Sequence, residues 1–330
     1  MNRIAIAGLL IVCSTTPAVT AQRKAAKPKP GVPDVQVPFG SLKPSATFKI
    51  GETADWVLVI DDAVWVAGTK PYSVQRIDPA TNTVVAKVRL SGEACSGLAF
   101  GFGSVWVPVC GDKPSLARVD ALTNRIIAVL PIAPASPEGG ITASRDSVWM
   151  VTDRDGATLS RIDPATNTVR QRISIPAGSY NPLSSDGMVW ITGFDKSVLT
   201  AVDASSGKVL ASIPVGPKPR FLTSGGGSVW TLNQGDGSVT RIDANNLKVT
   251  ATIALGIPGP GGDIDYGADS VWATIFDLPL TRMDGRTNEV VRQWVGQSGD
   301  SLRFGYNCIW LTDYHRGLLL RIPYEATRQR

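Results

Sequence analysis

The chain has 330 residues, with 33 Lys and Arg against 28 Asp and Glu, a single histidine and four cysteines, for a net charge of +5. The positive excess is confined to one end: residues before Ile50 hold seven bases and one acid, which leaves 26 basic and 27 acidic residues beyond, net −1. A near-neutral body gives a nucleic-acid partner no electrostatic footing, and beyond the first 21 residues no segment is apolar enough to span a membrane.

The N-terminus reads Met1-Asn2-Arg3, an apolar run from Ile4 to Val12, then small residues ending Ala18-Val19-Thr20-Ala21. This pattern predicts a secretory signal peptide over 1–21, cleaved after Ala21, and a mature protein that is periplasmic or secreted. A lipoprotein reading at Cys13 is weaker, because bulky Val12 precedes it. Residues 22–44 are rich in Lys, Pro and Ala and are expected to form a flexible linker, solvated or touching an anionic surface. Ala46 to Ile50 reads as a strand with no repeat of its own.

From there a Val-Trp or Ile-Trp pair recurs seven times, at Trp65, Trp106, Trp149, Trp190, Trp230, Trp272 and Trp310, with gaps of 41, 43, 41, 40, 42 and 38 residues. A period near 40 predicts an all-β, seven-bladed β-propeller, one four-stranded blade per repeat. In the second repeat the strands are expected at Ser96–Phe100, Ser104–Val109, Leu116–Asp120 and Arg125–Ile132. Runs such as Ser104-Val105-Trp106-Val107 are apolar on consecutive positions, as blades packed on both faces require. The tryptophans should form a ring of inter-blade packing. A third-strand echo, Arg-Ile-Asp at Arg76, Arg161 and Arg241, leads into turns that Asp and Asn can cap. The last repeat stops near Ile322, one strand short, so Ala46–Ile50 should complete the seventh blade. The propeller is thus expected over 45–324, with a tail at 325–330.

Cys95 and Cys110 flank a Gly101-Phe102-Gly103 turn symmetrically, so a hairpin turning there would set them face to face as a disulfide, which an exported location permits. Cys308 stands where other repeats carry serine and is read as a small buried thiol.

Ligands of propellers gather where the loop entering the inner strand meets the loop leaving the second. Ten residues before each Trp stand Asp55, Ser96, Gly139, Tyr180, Arg220, Gly262 and Asp300, flanked by Glu138, Asn181 and Asp263. These positions differ in every blade while strand positions repeat, as an asymmetric pocket on a symmetric scaffold requires. Asp55, Ser96, Glu138, Tyr180, Asn181, Arg220, Asp263 and Asp300 are the ligand-binding candidates. The second loops add Asp153-Arg154, Phe194-Asp195, Gln234-Gly235, Phe276-Asp277 and Tyr314-His315. An ion pair between Arg220 and Asp263 is expected, with an anionic or polar ligand at Arg220 as the second reading; alternatively Glu138, Asp263 and Asp300 could hold a divalent cation, Mg2+ or Ca2+, which Arg220 would disfavour. No residue is assigned as catalytic, with Glu138 and His315 as weak candidates for a base. The expected function is non-catalytic binding of a small molecule, peptide or partner protein at the channel mouth, by a monomer without cofactor.

The phrase Arg-Ile-Asp-Pro-Ala-Thr-Asn-Thr-Val, at Arg76–Val84 and Arg161–Val169, together with Gly-Ser-Val-Trp at Gly103–Trp106 and Gly227–Trp230, resembles the YVTN family of seven-bladed propellers. It is also similar to virginiamycin B lyase (streptogramin lyase)-like proteins, over about Ala46 to Tyr324. That second resemblance implies ring-opening of a macrocyclic depsipeptide by general-base elimination, with Mg2+ and a His and a Glu on one face. Gluconolactonase-type propellers imply lactone hydrolysis around a divalent metal. The sequence has one histidine and no His-x-Glu or Glu-x-His pair.

Overall fold

The computed structural model describes residues 31–275, 278–296 and 299–328. Residues 1–21, expected to be a signal peptide, lie outside these. The described residues form seven sheets, antiparallel but for one added strand, around a central channel, with helical structure only as 3-10 turns at Pro33–Val35, Phe39–Ser41 and Tyr324–Thr327. This is the seven-bladed propeller the Trp period predicts. Blade one is Thr53–Ile60, Ala63–Thr69, Ser73–Asp78 and Thr83–Arg89, innermost strand first. The inner strands of blades three to seven are Ile141–Ala143, Ser179–Ser185, Pro219–Gly225, Asp263–Gly267 and Leu302–Gly305.

Blade seven takes three strands from the C-terminal end and its outermost strand, Ala46–Lys49, from the N-terminal end. Ala46 pairs with Arg321 and Lys49 with Leu318, antiparallel. Phe48 stacks on Trp310 at 6.1 Å between ring centres. The ring is closed as expected.

The linker expectation fails for its second half. Residues 31–44 lie along blade six, where Gln36–Pro38 adds a fifth strand parallel to Val290–Val295. Val37 and Phe39 pack on the buried Trp294 cluster, and the Val32 amide donates to Gln293 Oε1 at 2.7 Å. A strand can be recruited through backbone amides and a few side chains without any apolar periodicity. Residues 22–30 lie outside the described residues.

All seven repeat tryptophans are fully buried between blades. The repeated third-strand arginine explains the echo in the sequence. Each such guanidinium in blades two, three, five, six and seven lies over the Trp of its own blade, 4.6–5.6 Å from the ring centre. It then reaches out of the blade to the structure that follows. Arg118 donates to Pro164 O at 2.5 Å and Asn167 Oδ1 at 2.9 Å; Arg321 donates to Pro79 O and Asn82 Oδ1, both at 2.6 Å. Each arginine also donates from Nε to the residue before the Val-Trp pair, Ser104 Oγ in blade two and Cys308 Sγ in blade seven. Cys308 is therefore a buried stand-in for serine. The aspartate of the same triplet caps the turn, Asp78 accepting from the Ala80 amide at 2.7 Å.

Replacing Arg321 by Ala should lower unfolding free energy by roughly 2–4 kcal/mol, from two charged hydrogen bonds and a cation–π contact across the closing seam. Arg76→Ala is the control. Among the described residues Arg76 is hydrogen-bonded to the exposed Asp62 within its own blade, so its loss should be clearly smaller. Urea unfolding of the two variants checks the difference; equal losses would contradict the inter-blade role.

Candidate functional site

The channel mouth is built where the inner strands lose their regular ladder. Register shifts interrupt the first two strands of blade one between Asp55 and Val57, of blade four between Ser179 and Asn181, and of blade five between Pro219 and Phe221. A bulge re-aims the side chain of the extra residue, and here those residues are Trp56, Tyr180 and Arg220. In blade two the inner strand breaks into Glu93–Ala94 and Ala99–Gly101. Ser96 and Gly97 adopt left-handed φ values of 60° and 78° between the pieces.

The Cys95–Cys110 disulfide forms, with the two Cα atoms 6.0 Å apart. Its register is not the face-to-face one predicted by symmetry. Cys110 pairs with Glu93, and the Cys95 amide donates to Pro108 O, so the bulge slides the two cysteines onto a diagonal. The bridge staples the broken head of blade two beside the mouth.

Asp55, Glu93, Glu138, Arg220, Gln234 and Asp300, with Trp56 and Tyr314, line a mouth cavity of about 410 Å3. Asp55, Glu138, Arg220 and Asp300 come from blades one, three, five and seven or the loops entering them. Burial pushes the Asp55 carboxyl well up from its ordinary value, and the neighbouring Asp300 adds to the shift. Burial likewise pushes Asp300 up to about 7, against the pull of the Gly262 amide, which donates to Asp300 Oδ1 at 3.0 Å. The two carboxyls are close enough that a charge on one disfavours a charge on the other. Glu138 at the rim is raised by partial burial and lowered by Arg220.

Arg220 does not pair with Asp263 as expected. Its guanidinium lies over Phe194 and Tyr180, 4.4 and 5.1 Å from the ring centres, and donates to the Glu138 carbonyl at 3.2 Å. Asp263 is buried lower in the wall and is held by Arg303 Nη1 at 2.5 Å, Ser301 Oγ at 2.9 Å and the Ile264 amide at 2.9 Å. It thereby ties blade six to blade seven, and Ser301 Oγ extends the link to blade one by accepting from Val57 N at 3.1 Å.

The other predicted residues scatter by depth. Ser96 is buried and its hydroxyl donates to Ser136 O. Tyr180 serves as a platform for Arg220. Asn181 donates to Glu138 O at 3.1 Å and lines a second, deeper cavity of about 220 Å3 together with Asp263 and Arg303. His315 is exposed, edge-on to Tyr314, and does not line the mouth cavity. Phe276 and Asp277 lie outside the described residues. The Gln234 loop and the Gly259–Asp263 loop meet at the mouth, where Gln234 Nε2 donates to Gly261 O at 2.9 Å.

Glu138, Asp263 and Asp300 do not converge as a cation site. Asp263 faces the deeper cavity and is bound to Arg303, and among the described residues no three His, Cys, Asp or Glu side chains are placed to hold a metal. Trp56, Glu93 and Arg303 were not among the candidates. Two of them carried a signal in nearby columns, one and three residues along from the ten-before position. Nine before each Trp, Trp56 stands against Gly97, Gly140, Asn181, Phe221, Asp263 and Ser301; seven before, Arg303 stands against Leu58, Ala99, Thr142, Leu183, Thr223 and Asp265.

No family model matches the sequence, and no curated protein matches it. Among solved structures, the chain is similar to the crystal structure of BamB from Moraxella catarrhalis at 11% identity, with a TM-score of 0.62, over 88% of this chain and 99% of that one. At that identity the two share a fold, and the fold is a β-propeller.

Proposed function

We propose that this protein is an exported, non-catalytic binding propeller, working as a monomer without cofactor, that receives a positively charged group of a small molecule, peptide or partner protein at its channel mouth. One observation carries the reading: Asp55, Glu93, Glu138 and Asp300 meet in one cavity against a single guanidinium, Arg220, that is already engaged by two rings and a carbonyl. The cavity's size suits a small ligand, for which pockets run from about 300 to 1,000 Å3. A bridged Cys95–Cys110 supports an oxidising compartment, in keeping with the signal peptide expected from the N-terminal sequence. Among the described residues no helix is long and apolar enough to cross a membrane.

Butane-1,4-diamine and succinate are matched probes of opposite charge. The diamine should raise the melting midpoint, since a ligand at 100 times its Kd adds about 2.7 kcal/mol. Succinate should leave it unchanged, and Asp300→Asn should weaken diamine binding about tenfold or more. Equal shifts with both probes, or none with either, would refute the charge reading.

A second reading, a lactone hydrolase or lyase, is favoured by the Asp55–Asp300 pair, since a carboxyl pushed up to about 7 is poised for acid–base work. The resemblance implies Mg2+ with a His and a Glu on one face, and the single histidine, His315, does not line the mouth cavity. Ring-opening of a lactone or cyclic depsipeptide that vanishes in Asp300→Asn would favour this reading over binding alone.

A further inference from the structure

The mouth cavity and the deeper cavity share one lining residue, Trp56. Its indole is 94% buried and meets Phe221 at 6.1 Å between ring centres. Trp56 belongs to blade one and Phe221 to blade five, and these blades are not neighbours in the ring. Their contact therefore crosses the channel. Leu98, from the broken strand of blade two, joins the same apolar cluster.

Trp56 adopts φ 35°, a left-handed backbone that a bulky aromatic residue rarely occupies. Such geometry persists only where the surroundings hold it, and it concentrates at functional positions. Here the surroundings are specific. The Trp56 amide donates to Asp55 Oδ1 at 2.7 Å, and the Val57 amide is held by Ser301 of blade seven. The strained turn does two things with one bulge: it hangs Asp55 in the mouth and swings the next side chain across the channel beneath it.

We propose that Trp56, braced on Phe221 and Leu98, is a fixed partition that makes the mouth a blind cup, and that Trp56 sets the depth to which a ligand enters. The ligand class narrows accordingly. The site takes a compact terminal group, such as an amine-bearing end or a side-chain tip, and excludes any chain threaded along the channel. Below the partition the deeper cavity is walled by Leu58, Leu98, Ile141, Leu183 and Leu222, with the Asp263–Arg303 pair as its charged spot. It is a separate compartment and not the tail of the binding site.

This inference rests on the charge reading given under Proposed function, and the test separates the two. The probes are the linear α,ω-diamines from ethane-1,2-diamine to dodecane-1,12-diamine, titrated calorimetrically into the full mature chain and into Trp56→Ala, Phe221→Ala and Trp56→Phe. In the native protein, affinity should fall at least tenfold once the chain outgrows the cup. The cut-off should move to longer chains in Trp56→Ala and Phe221→Ala and stay in place in Trp56→Phe. Crystal structures of the Ala variants should show the two cavities joined. The same chain-length profile in the native protein and both Ala variants, or cavities that remain separate, would overturn the partition. Diamine binding to none of the proteins would refute the charge reading, and the crystal structures would then decide the partition alone. If Trp56→Ala does not fold, Phe221→Ala carries the test from the other side of the channel.

Discussion

Deleting residues 1–50 should lower the melting midpoint by about 10–20 °C relative to the mature protein. The deletion strips the outermost strand from blade seven, leaving the edge of Leu318–Pro323 unpaired. Phe48 and Ile50 are both buried, and their loss alone removes about 3–5 and about 2–5 kcal/mol respectively. Ties to neighbouring elements also go: Gln75 Nε2 donates to Ile50 O at 2.6 Å, and Lys49 Nζ to Arg316 O at 2.7 Å. Deletion of 1–44 removes the blade-six strand but spares the closure, so its effect should be markedly smaller. A synthetic peptide spanning residues 44–52 should restore much of the lost stability when added to the shorter chain. Equal midpoints for the two deletions, measured by thermal denaturation followed by circular dichroism, would show that closure is not what holds the ring.

Asp300→Asn should stabilise the protein at pH 8 and leave it nearly unchanged at pH 3.5. The folded-state value of Asp300 is raised from 3.8 to about 7, so the folded protein holds a proton that the unfolded chain has released. Between those values stability falls as pH rises, and above about 7 the full penalty applies, on the order of 3–4 kcal/mol. Below about 4 both states are protonated and the term disappears. Asparagine mimics the protonated acid: Oδ1 can keep accepting from the Gly262 amide, and Nδ2 can donate to Asp55. The variant should therefore melt on the order of 5 °C higher at pH 8, with a flatter pH profile. Parallel profiles for the two proteins would show that the pair carries no such penalty. A carboxyl retained against a stability penalty is what a binding role at the mouth would explain, since stability and function commonly oppose each other at such positions.

Much of the scaffold was legible because it repeats. The Trp period marks the blades, the missing fourth strand of the last repeat marks the closure, and the symmetric cysteines mark the disulfide. Even the Arg-Ile-Asp echo has a physical reading, with arginine over the indole and aspartate on the turn. The mouth was legible only as a column of odd residues. What sorts that column by depth is local backbone irregularity, and bulges at Trp56, Tyr180 and Arg220 leave no compositional mark. A one-residue shift moves a side chain from wall to lumen, so Asp263 turns to Arg303 and away from Arg220. The Gln36–Pro38 strand was illegible for a related reason: it is held largely by main-chain pairing, which is blind to composition.

Blade seven joins a strand made before the other six blades to three strands made after them. During synthesis or end-first translocation, six wedges can stack in turn, yet the circle stays broken until residues 308–323 arrive to meet Ala46–Lys49. Assembly is therefore gated by synthesis of the seventh blade, and a product terminated before it would be left with unpaired strand edges open to proteolysis.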